Sequence, residues 1–507
     1  MDRDRVGSQG QAGNVSQLLR TENAKQARNQ LETTNKNLAV LLSGVDAKVV
    51  FASYALYRIS ALHSQRTNWF PRAAPTAIEI AAGILFPHFG KGGRNDPDAV
   101  EKLINAIDEF QKAQFFSEMF SIENDDYDEL KAHLRIHTEN VRGSAYPVQV
   151  NRRIDGALGP LEEDFRSKFG LGPLRARDIA LAILDQTEDN IGTMHEQTRA
   201  IFGRLNVAAK AGNTGEAENL ASELQTAMAG MGGDWIPMRR QIESRLPDLT
   251  DAEWEALIKV IGLTPDTVKE VPKIVDLQDR PLYFTASDRA FSLQGTSVLD
   301  AIFSYFDNAA RDDKTLVNRY VHAASEWMEK AIVEFVRRIF PESSVIQSAC
   351  FPDPDHPGGE TEADVVVHRG PFLVILEAKN HRITKEAVRS GSKRLKKVLS
   401  KNIQDAFIQA QRVVRVLETD GKITFKEKST GRRITATKDD LRRVFPISVT
   451  LQYLFGITTQ LAVTQRLGLF KGNAFPWSVS LDDLDVITRF SATPDTFLFY
   501  IERRTAH

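Results

Sequence analysis

Two apolar runs separated by a short turn form the clearest hydrophobic pattern in this chain. Residues 365–367 and 372–376 are almost continuously apolar and rich in β-branched side chains, and Gly370 and Pro371 lie between them. Continuous apolar runs of this length are typical of strands covered on both faces. A turn this short joins antiparallel neighbours. The pattern therefore predicts a hairpin in the central sheet of an α/β domain.

Three charged residues lie at the open end of this predicted hairpin. Asp364 comes directly before the first run, whereas Glu377 and Lys379 follow the second. On paired strands, opposed or diagonal residues have Cβ atoms about 4.5–8 Å apart, and residues two positions apart share a face. We therefore expect Asp364 to lie diagonal to Glu377, with Lys379 on the same side.

Two carboxylates and one amine at a single place suit the hydrolysis of a phosphodiester. Carboxylates hold an oxygen-ligated cation such as Mg²⁺, with Mn²⁺ as an alternative, and the cation neutralises charge in the transition state and activates water. A lysine beside the cation orients the attacking water. Two buried carboxylates without a cation would repel each other, which is a further reason to expect a metal ion here.

Helical patterns lie on both sides of the predicted hairpin. Residues 316–340 repeat apolar side chains at a helical period, and residues 389–417 are predicted to form a second long helix. The apolar run at 445–454 predicts a further core strand. The predicted order is therefore helix, hairpin, helix and strand.

This order, with Asp364 and then Glu377-Ala-Lys379 on the hairpin, resembles the PD-(D/E)XK nuclease superfamily, which has the restriction-endonuclease-like fold. The resemblance covers about residues 310–455. It implies a metal-dependent nuclease in which Asp364, Glu377 and the backbone carbonyl of Ala378 bind Mg²⁺, and Lys379 acts in catalysis. Ala363 stands where the family motif has proline, a position that varies widely.

The resemblance also implies two helix residues in the catalytic set. One is a glutamate on the upstream helix: Glu329 is our choice, and Glu326 and Glu334 stay open as alternatives. The other is a glutamine on the downstream helix, for which Gln409 is our choice. Both assignments are carried over from the family pattern.

Basic residues are concentrated just after the Glu-x-Lys tripeptide. A charge run is most often a solvated helix face, but beside a phosphate-cleaving centre it predicts a surface for the nucleic-acid backbone. We assign to this surface Lys385, Arg389, Lys393, Arg394, Lys396, Lys397 and Lys401. A second basic segment at 422–433 ends in a predicted hairpin tip at 430–433.

Composition narrows the class of protein. The chain has 507 residues and a formal net charge of −2, so any attraction to nucleic acid must come from local patches. Cys350 is the only cysteine, which excludes an internal disulfide framework and a thiolate zinc site. The apolar runs are too short to span a bilayer, and residues 1–17 lack the apolar core of a secretory signal. We expect a cytoplasmic protein with no membrane partner.

The expected fold class is multidomain α+β. We expect a disordered tail at 1–20, a largely α-helical region at 21–280 with a break near 206–235 that suggests two subdomains, and a nuclease-like domain at 281–507. That last domain is expected to be α/β and restriction-endonuclease-like, with a mixed central sheet flanked by helices. Within the helical half, helices are predicted at 98–120, 178–205, 216–228 and 248–261, the last with a capping box of Thr250 and Glu253.

Two hypotheses for function follow. The first is a Mg²⁺-dependent nuclease, with DNA favoured over RNA as substrate. Its helical half is expected to have a regulatory or recognition role and to contact a protein partner or a second copy of the chain. The resemblance suggests a role in anti-phage defence. The alternative is a module on the same fold that binds nucleic acid or protein without cutting. Asp364, Glu377 and Lys379 together argue against that alternative, because a binding module has no chemical need for all three.

Overall fold

The computed structural model describes residues 4–51, 53–54, 74–89, 91, 93, 97–120, 145–230, 235–265, 274–286, 288–292, 295–383, 393–454 and 477–505. The chain divides into two compact units. The first unit comprises residues 1–123, 139–143 and 161–309, and the second comprises residues 124–138, 144–160 and 310–507.

The described helices and strands are numbered here in chain order. The helices are α1 (Asp4–Leu42), α2 (Ala74–Leu85), α3 (Pro97–Phe120), α4 (Pro147–Arg153), α5 (Glu162–Phe169), α6 (Pro173–Lys210), α7 (Thr214–Gly230), α8 (Arg239–Arg245), α9 (Asp251–Ile261), α10 (Ile274–Asp279), α11 (Gly295–Asp312), α12 (Val317–Arg337), α13 (Lys393–Ser400), α14 (Ala406–Asp420), α15 (Leu481–Phe490) and α16 (Pro494–Thr505). The strands are β1 (Gly262–Leu263), β2 (Leu282–Ala286), β3 (Arg289–Phe291), β4 (Val345–Pro352), β5 (Glu360–Arg369), β6 (Phe372–Lys379), β7 (Lys422–Glu427), β8 (Arg433–Thr437), β9 (Arg443–Thr450) and β10 (Trp477–Ser480).

The first unit is mainly helical and has an aromatic core. Phe51 packs against Phe89 and Trp235, with ring centroids 6.1 Å apart in both pairs. Tyr283 of β2 stacks on Phe291 of β3 at 5.1 Å, so the small sheet β1-β2-β3 is part of the same core. Aromatic side chains bury a large apolar area each, which makes them effective at holding short elements together.

Helix prediction in this unit is largely confirmed. α3, α7 and α9 match the predicted helices to within about three residues at each end. The predicted capping box is present, since the Glu253 N–H donates to Thr250 Oγ1 at 3.2 Å and the Thr250 N–H donates to Glu253 Oε2 at 2.9 Å. The remaining predicted helix, at 178–205, is longer than expected: α6 begins at Pro173, which is well suited to a first helical position.

At two of the boundaries predicted in the helical half, the structure has other local features. α1 begins at Asp4 where a disordered tail was expected; the segment contains no proline that would end a helix continuing from residues 21–42. The break near 206–235 does not separate two subdomains. α6 and α7 are joined by a short turn at 211–213 and pack against each other, with Arg204 and Glu223 paired at 2.7 Å across them.

The division between the two units also differs from the predicted boundary at residue 281. β2 pairs with β1 and β3, so residues 281–309 belong to the first unit. Conversely, residues 144–160 belong to the second unit, where Gln149 on α4 donates to the Asp485 carboxylate of α15 at 3.0 Å. Such long-range pairings leave no local pattern in the sequence.

The second unit is built on a seven-stranded mixed sheet with the order β10-β9-β6-β5-β4-β7-β8. β4 and β5, β5 and β6, β4 and β7, and β7 and β8 pair antiparallel, whereas β6 and β9, and β9 and β10, pair parallel. The predicted hairpin is confirmed as β5–β6, with Gly370 and Pro371 as its turn. The predicted strand at 445–454 is β9, and the predicted hairpin tip at 430–433 joins β7 to β8. A mixed sheet flanked by helices is therefore confirmed for this half.

Helices cover the central strands on both sides. Five consecutive residues of β6, Leu373 to Glu377, are buried, which requires cover on both faces. α14 lies over one face, where Val413 and Leu417 share an apolar cluster with Leu373 and Ile375. α12 packs against β4, β5 and β6. These two helices correspond to those predicted at 316–340 and 389–417.

The downstream helix is interrupted by a wider turn. α13 and α14 are joined at Lys401–Asp405 by one turn of π-helix, in which backbone bonds span one residue more than in an α-helix. The buried side chain of Asn402 donates to the carbonyls of Val398 and His381 at 3.1 and 3.0 Å. The turn therefore ties the helix to the chain just beyond β6. Within the described part of the chain, no helix is both long and apolar enough to cross a bilayer.

Candidate active site

The candidate site lies where the β5–β6 hairpin opens. Paired residues run from Arg369 and Phe372 beside the turn to Val365 and Leu376. Asp364 and Glu377 are the next residues on the two strands beyond the last of these pairs. Beyond this pair the Ala378 N–H donates to Asp364 Oδ2 at 2.7 Å, so a side chain occupies the place of a backbone acceptor.

The backbone groups of Ala378 also point towards the Asp364 side chain. Its N–H points towards β5, since it binds Asp364. The N–H and C=O groups of one strand residue point in the same direction, so the Ala378 carbonyl is also directed towards the Asp364 side. Consistent with this alternation, the carbonyl of the next residue, Lys379, accepts from the Leu451 N–H at 3.1 Å on the β9 side.

Lys379 joins the two carboxylates to α14. Its Nζ lies 3.4 Å from Glu377 Oε2, as expected for residues two positions apart on one strand face. The same ammonium donates to Gln409 Oε1, and its side chain is only 11 % exposed. The structure therefore brings together Asp364, Glu377, Lys379 and Gln409 as the sequence suggested.

Burial and mutual repulsion make the acid pair electrostatically unfavourable. Burial raises the pKa of Glu377 to about 8, the nearby charge of Asp364 adds to this rise, and Lys379 opposes it. Burial also raises the pKa of Asp364, against the opposing effects of Lys379 and the Ala378 N–H. Glu377 Oε1 is buried and has no hydrogen-bond partner. A cation between the two carboxylates would compensate both the repulsion and this unpaired oxygen.

Glu329 on α12 is electrostatically linked to the acid pair. Burial raises its pKa to about 7, with further contributions from the negative charges of Asp364 and Glu362. The other two candidates on this helix have different surroundings. Glu326 is exposed and paired with Lys330 at 2.7 Å, and Glu334 is exposed and paired with Arg338 at 2.9 Å. Glu329 is therefore the candidate whose pKa is raised by the charge of Asp364.

Two charged residues near the site were missed in the sequence. Glu362 lies on β5 two positions before Asp364 and is paired with Lys428 at 3.1 Å; the spacing of two would have placed it on the Asp364 face. Arg412 lies three residues after Gln409 on α14, and its charge acts on Glu377. That helical spacing was also a usable signal.

The oxygen donors at this site suit Mg²⁺, which does not have to be held entirely by side chains. Among the residues that the structure describes, no group of three or more His, Cys, Asp or Glu side chains is arranged to hold a metal ion. Here two carboxylates and one backbone carbonyl converge, which leaves coordination positions for water and substrate oxygen. Mg²⁺ retains several waters in sites of this kind.

The basic surface is described only in part. Lys385 and Arg389 lie outside the described residues. Lys393, Arg394 and Lys396 belong to the first turn of α13, Lys397 is exposed on the same helix, and Lys401 opens the π-helical turn.

Compared with models of protein families, with curated proteins and with solved structures, the chain matches none. Its function must therefore be argued from the chemistry of the site itself. That chemistry comprises two neighbouring carboxylates, a backbone carbonyl directed towards them, an ammonium fixed by a glutamine, and a nearby glutamate with a raised pKa.

Proposed function

We propose that the second unit is a metal-dependent nuclease domain of the restriction-endonuclease-like fold, which hydrolyses phosphodiester bonds in nucleic acid, with DNA as the preferred substrate. The observation that supports this most strongly is the meeting of Asp364, Glu377 and Lys379 at the open end of one hairpin. Metal-dependent hydrolysis of a phosphodiester uses carboxylates to hold the cation and a fixed ammonium to orient the attacking water.

Each residue has a distinct role in this proposal. Asp364, Glu377 and the Ala378 carbonyl would hold Mg²⁺, which supplies charge neutralisation and an activated water when bound. Lys379, fixed by Gln409 and Glu377, directs its ammonium protons at the attacking oxygen. Glu329 would accept or donate a proton beside the acid pair; burial and the charges of Asp364 and Glu362 raise its pKa to about 7 in the metal-free protein.

Positive charge beyond β6 supports a polyanionic substrate. Lys397 is exposed on α13, and Lys401 follows at the turn that Asn402 ties to His381. Because the net charge of the chain is slightly negative, a local cluster of this kind is what would attract a phosphate backbone.

A cleavage assay tests the proposal directly. Plasmid, linear duplex, single-stranded DNA and RNA are incubated with the protein in Mg²⁺, Mn²⁺ or EDTA, together with Asp364→Asn and Lys379→Ala. Asp439→Asn is the matched control, since it removes an exposed carboxylate just before β9, at the opposite end of the sheet from Lys379. We expect metal-dependent cutting that falls at least about a hundredfold in both site variants and persists in the control.

The same assay separates the alternative function. Retarded bands without cleavage under every cation would indicate a binding module on this fold. Cleavage that survives Asp364→Asn would place the reaction elsewhere in the chain. Absence of both binding and cleavage for all four substrates would reject a role in nucleic-acid chemistry.

A further inference from the structure

Arg412 is a charged residue at the candidate site with no role in the mechanism above. It lies on α14 three residues after Gln409, so the two side chains are neighbours on one helix face. Burial and Asp364 raise the pKa of Glu377, and the positive charge of Arg412 is one of the effects that oppose this rise. Arg412 is therefore close enough to act on the acid pair.

Arg412 is held by the edge of the sheet. Its Nη1 donates to Thr361 Oγ1 on β5 at 3.1 Å, three residues before Asp364. Its Nε lies 3.4 Å from Asp355 Oδ2, in the connection between β4 and β5, but is buried without a hydrogen bond. The guanidinium is thus positioned from two sides while most of its five donors stay unused among the described residues.

The connection that carries Asp355 is itself well fixed. The Asp353 N–H donates to the Gly359 carbonyl, and the Gly359 N–H to the His356 carbonyl, both at 2.9 Å. Asp353 accepts from the Asp355 N–H at 2.9 Å and contacts His356 Nδ1 at the same distance. Asp355 is therefore presented to α14 by a preformed turn rather than by a single contact.

Asp355 makes its shortest side-chain hydrogen bonds with a second arginine on α14. Arg415, one turn further along α14, binds both carboxylate oxygens through Nη1 at 2.6 Å and Nη2 at 3.0 Å. This bidentate pair occupies both Nη groups of Arg415 and offsets its charge. Arg412 keeps only the longer contact at 3.4 Å. Both arginines stay charged, but Arg412 has the weaker contact with Asp355 and leaves more of its donors open to a ligand.

We propose that Arg412 binds a phosphate group of the nucleic-acid strand next to the scissile bond, and that Asp355 is the positioning residue that holds it there. This assignment rests on the nuclease function proposed above. A guanidinium is always charged, and its planar fork matches two phosphate oxygens. Such a contact anchors the strand without reading its sequence.

Binding measurements on the full chain test this role. The affinity for a short fluorescent DNA duplex is measured by anisotropy at several salt concentrations, in EDTA and in Ca²⁺. We expect Arg412→Gln to weaken binding roughly tenfold and to lower the slope of log affinity against log salt by about one. Arg415→Gln, the matched control, should leave that slope unchanged. Arg412→Lys, which keeps the charge, should keep the slope while weakening binding, because the planar fork is lost.

The outcomes distinguish this inference from the function it rests on. If the unmodified protein binds and cuts DNA but Arg412→Gln has the same affinity and slope, the role of Arg412 is overturned and the nuclease stands. Equal losses in Arg412→Gln and Arg415→Gln would also overturn it, since a general charge effect would then suffice. If the unmodified protein neither binds nor cuts, the nuclease proposal itself fails.

Discussion

The raised pKa of Glu377 makes a quantitative prediction about stability. Its pKa moves from 4.5 to about 8 in the folded protein, mainly because of burial and then because of Asp364. Between these pH values the folded state keeps a proton that the unfolded state has lost, so folding becomes less favourable as pH rises through this range. At about 1.4 kcal/mol for each pKa unit, the interval corresponds to about 5 kcal/mol as an upper limit.

Glu377→Gln removes this dependence, because an amide of the same shape cannot ionise. In the absence of metal, we expect the variant to match the original protein near pH 4.5 and to exceed its stability increasingly up to about pH 8. Urea unfolding in EDTA across this range measures the difference. Asp439→Asn, which changes an exposed carboxylate, should leave the pH dependence as it is.

Adding metal should reverse the difference in stability between the original protein and Glu377→Gln. Near pH 8, Mg²⁺ is expected to stabilise the original protein, since a ligand that binds only the folded state adds RT ln(1 + [L]/Kd). Glu377→Gln should gain little. Parallel pH profiles for the two proteins, or equal stabilisation of both by Mg²⁺, would refute the assignment of Glu377 as a buried ionisable metal ligand.

Three further predictions concern the charge, the turn and the core of the same hairpin. Lys379→Met should raise the pKa of Glu377 further, because it removes the positive charge that opposes the rise, and should shift the pH profile of urea unfolding accordingly. Gly370→Ala should cost about 1 kcal/mol in unfolding free energy, since φ is +53° there, whereas Gly370→Asn should cost less. Ile375→Ala should cost about 2–5 kcal/mol by the same measurement, because the side chain is fully buried under α14.

The elements that sequence predicted well are those set by local pattern. The β5–β6 hairpin combines two apolar runs with Gly370-Pro371, so turn chemistry and strand period agree within about fifteen residues. Glu377 and Lys379 lie on the same strand face because they are two positions apart, which follows from strand geometry alone.

What the sequence did not predict depends on contacts between distant segments. Arg153 on α4 pairs with the buried Asp482 of α15 at 3.4 Å, although more than three hundred residues separate them. This pairing helps to place residues 144–160 in the second unit, and no short sequence motif predicts it. The contact of Arg412 with Asp355 is similar, because it depends on how α14 lies over the connection between β4 and β5.

The acid pair stays in position against its own repulsion because the surrounding sheet is complete. β6 is paired along its length with β9, including Glu377 with Ser448, and with β5 up to Leu376, so Glu377 has little freedom to move away. The same rigidity preorganises the carboxylates for a cation. In the proposed nuclease, Glu377 would have to lose its proton before it binds a cation, and its pKa in the metal-free protein is about 8. Metal binding is therefore predicted to release protons and to strengthen as pH rises. The carboxyl that makes the metal-free fold less stable at higher pH would then be the one that makes the metal-bound fold more favourable there.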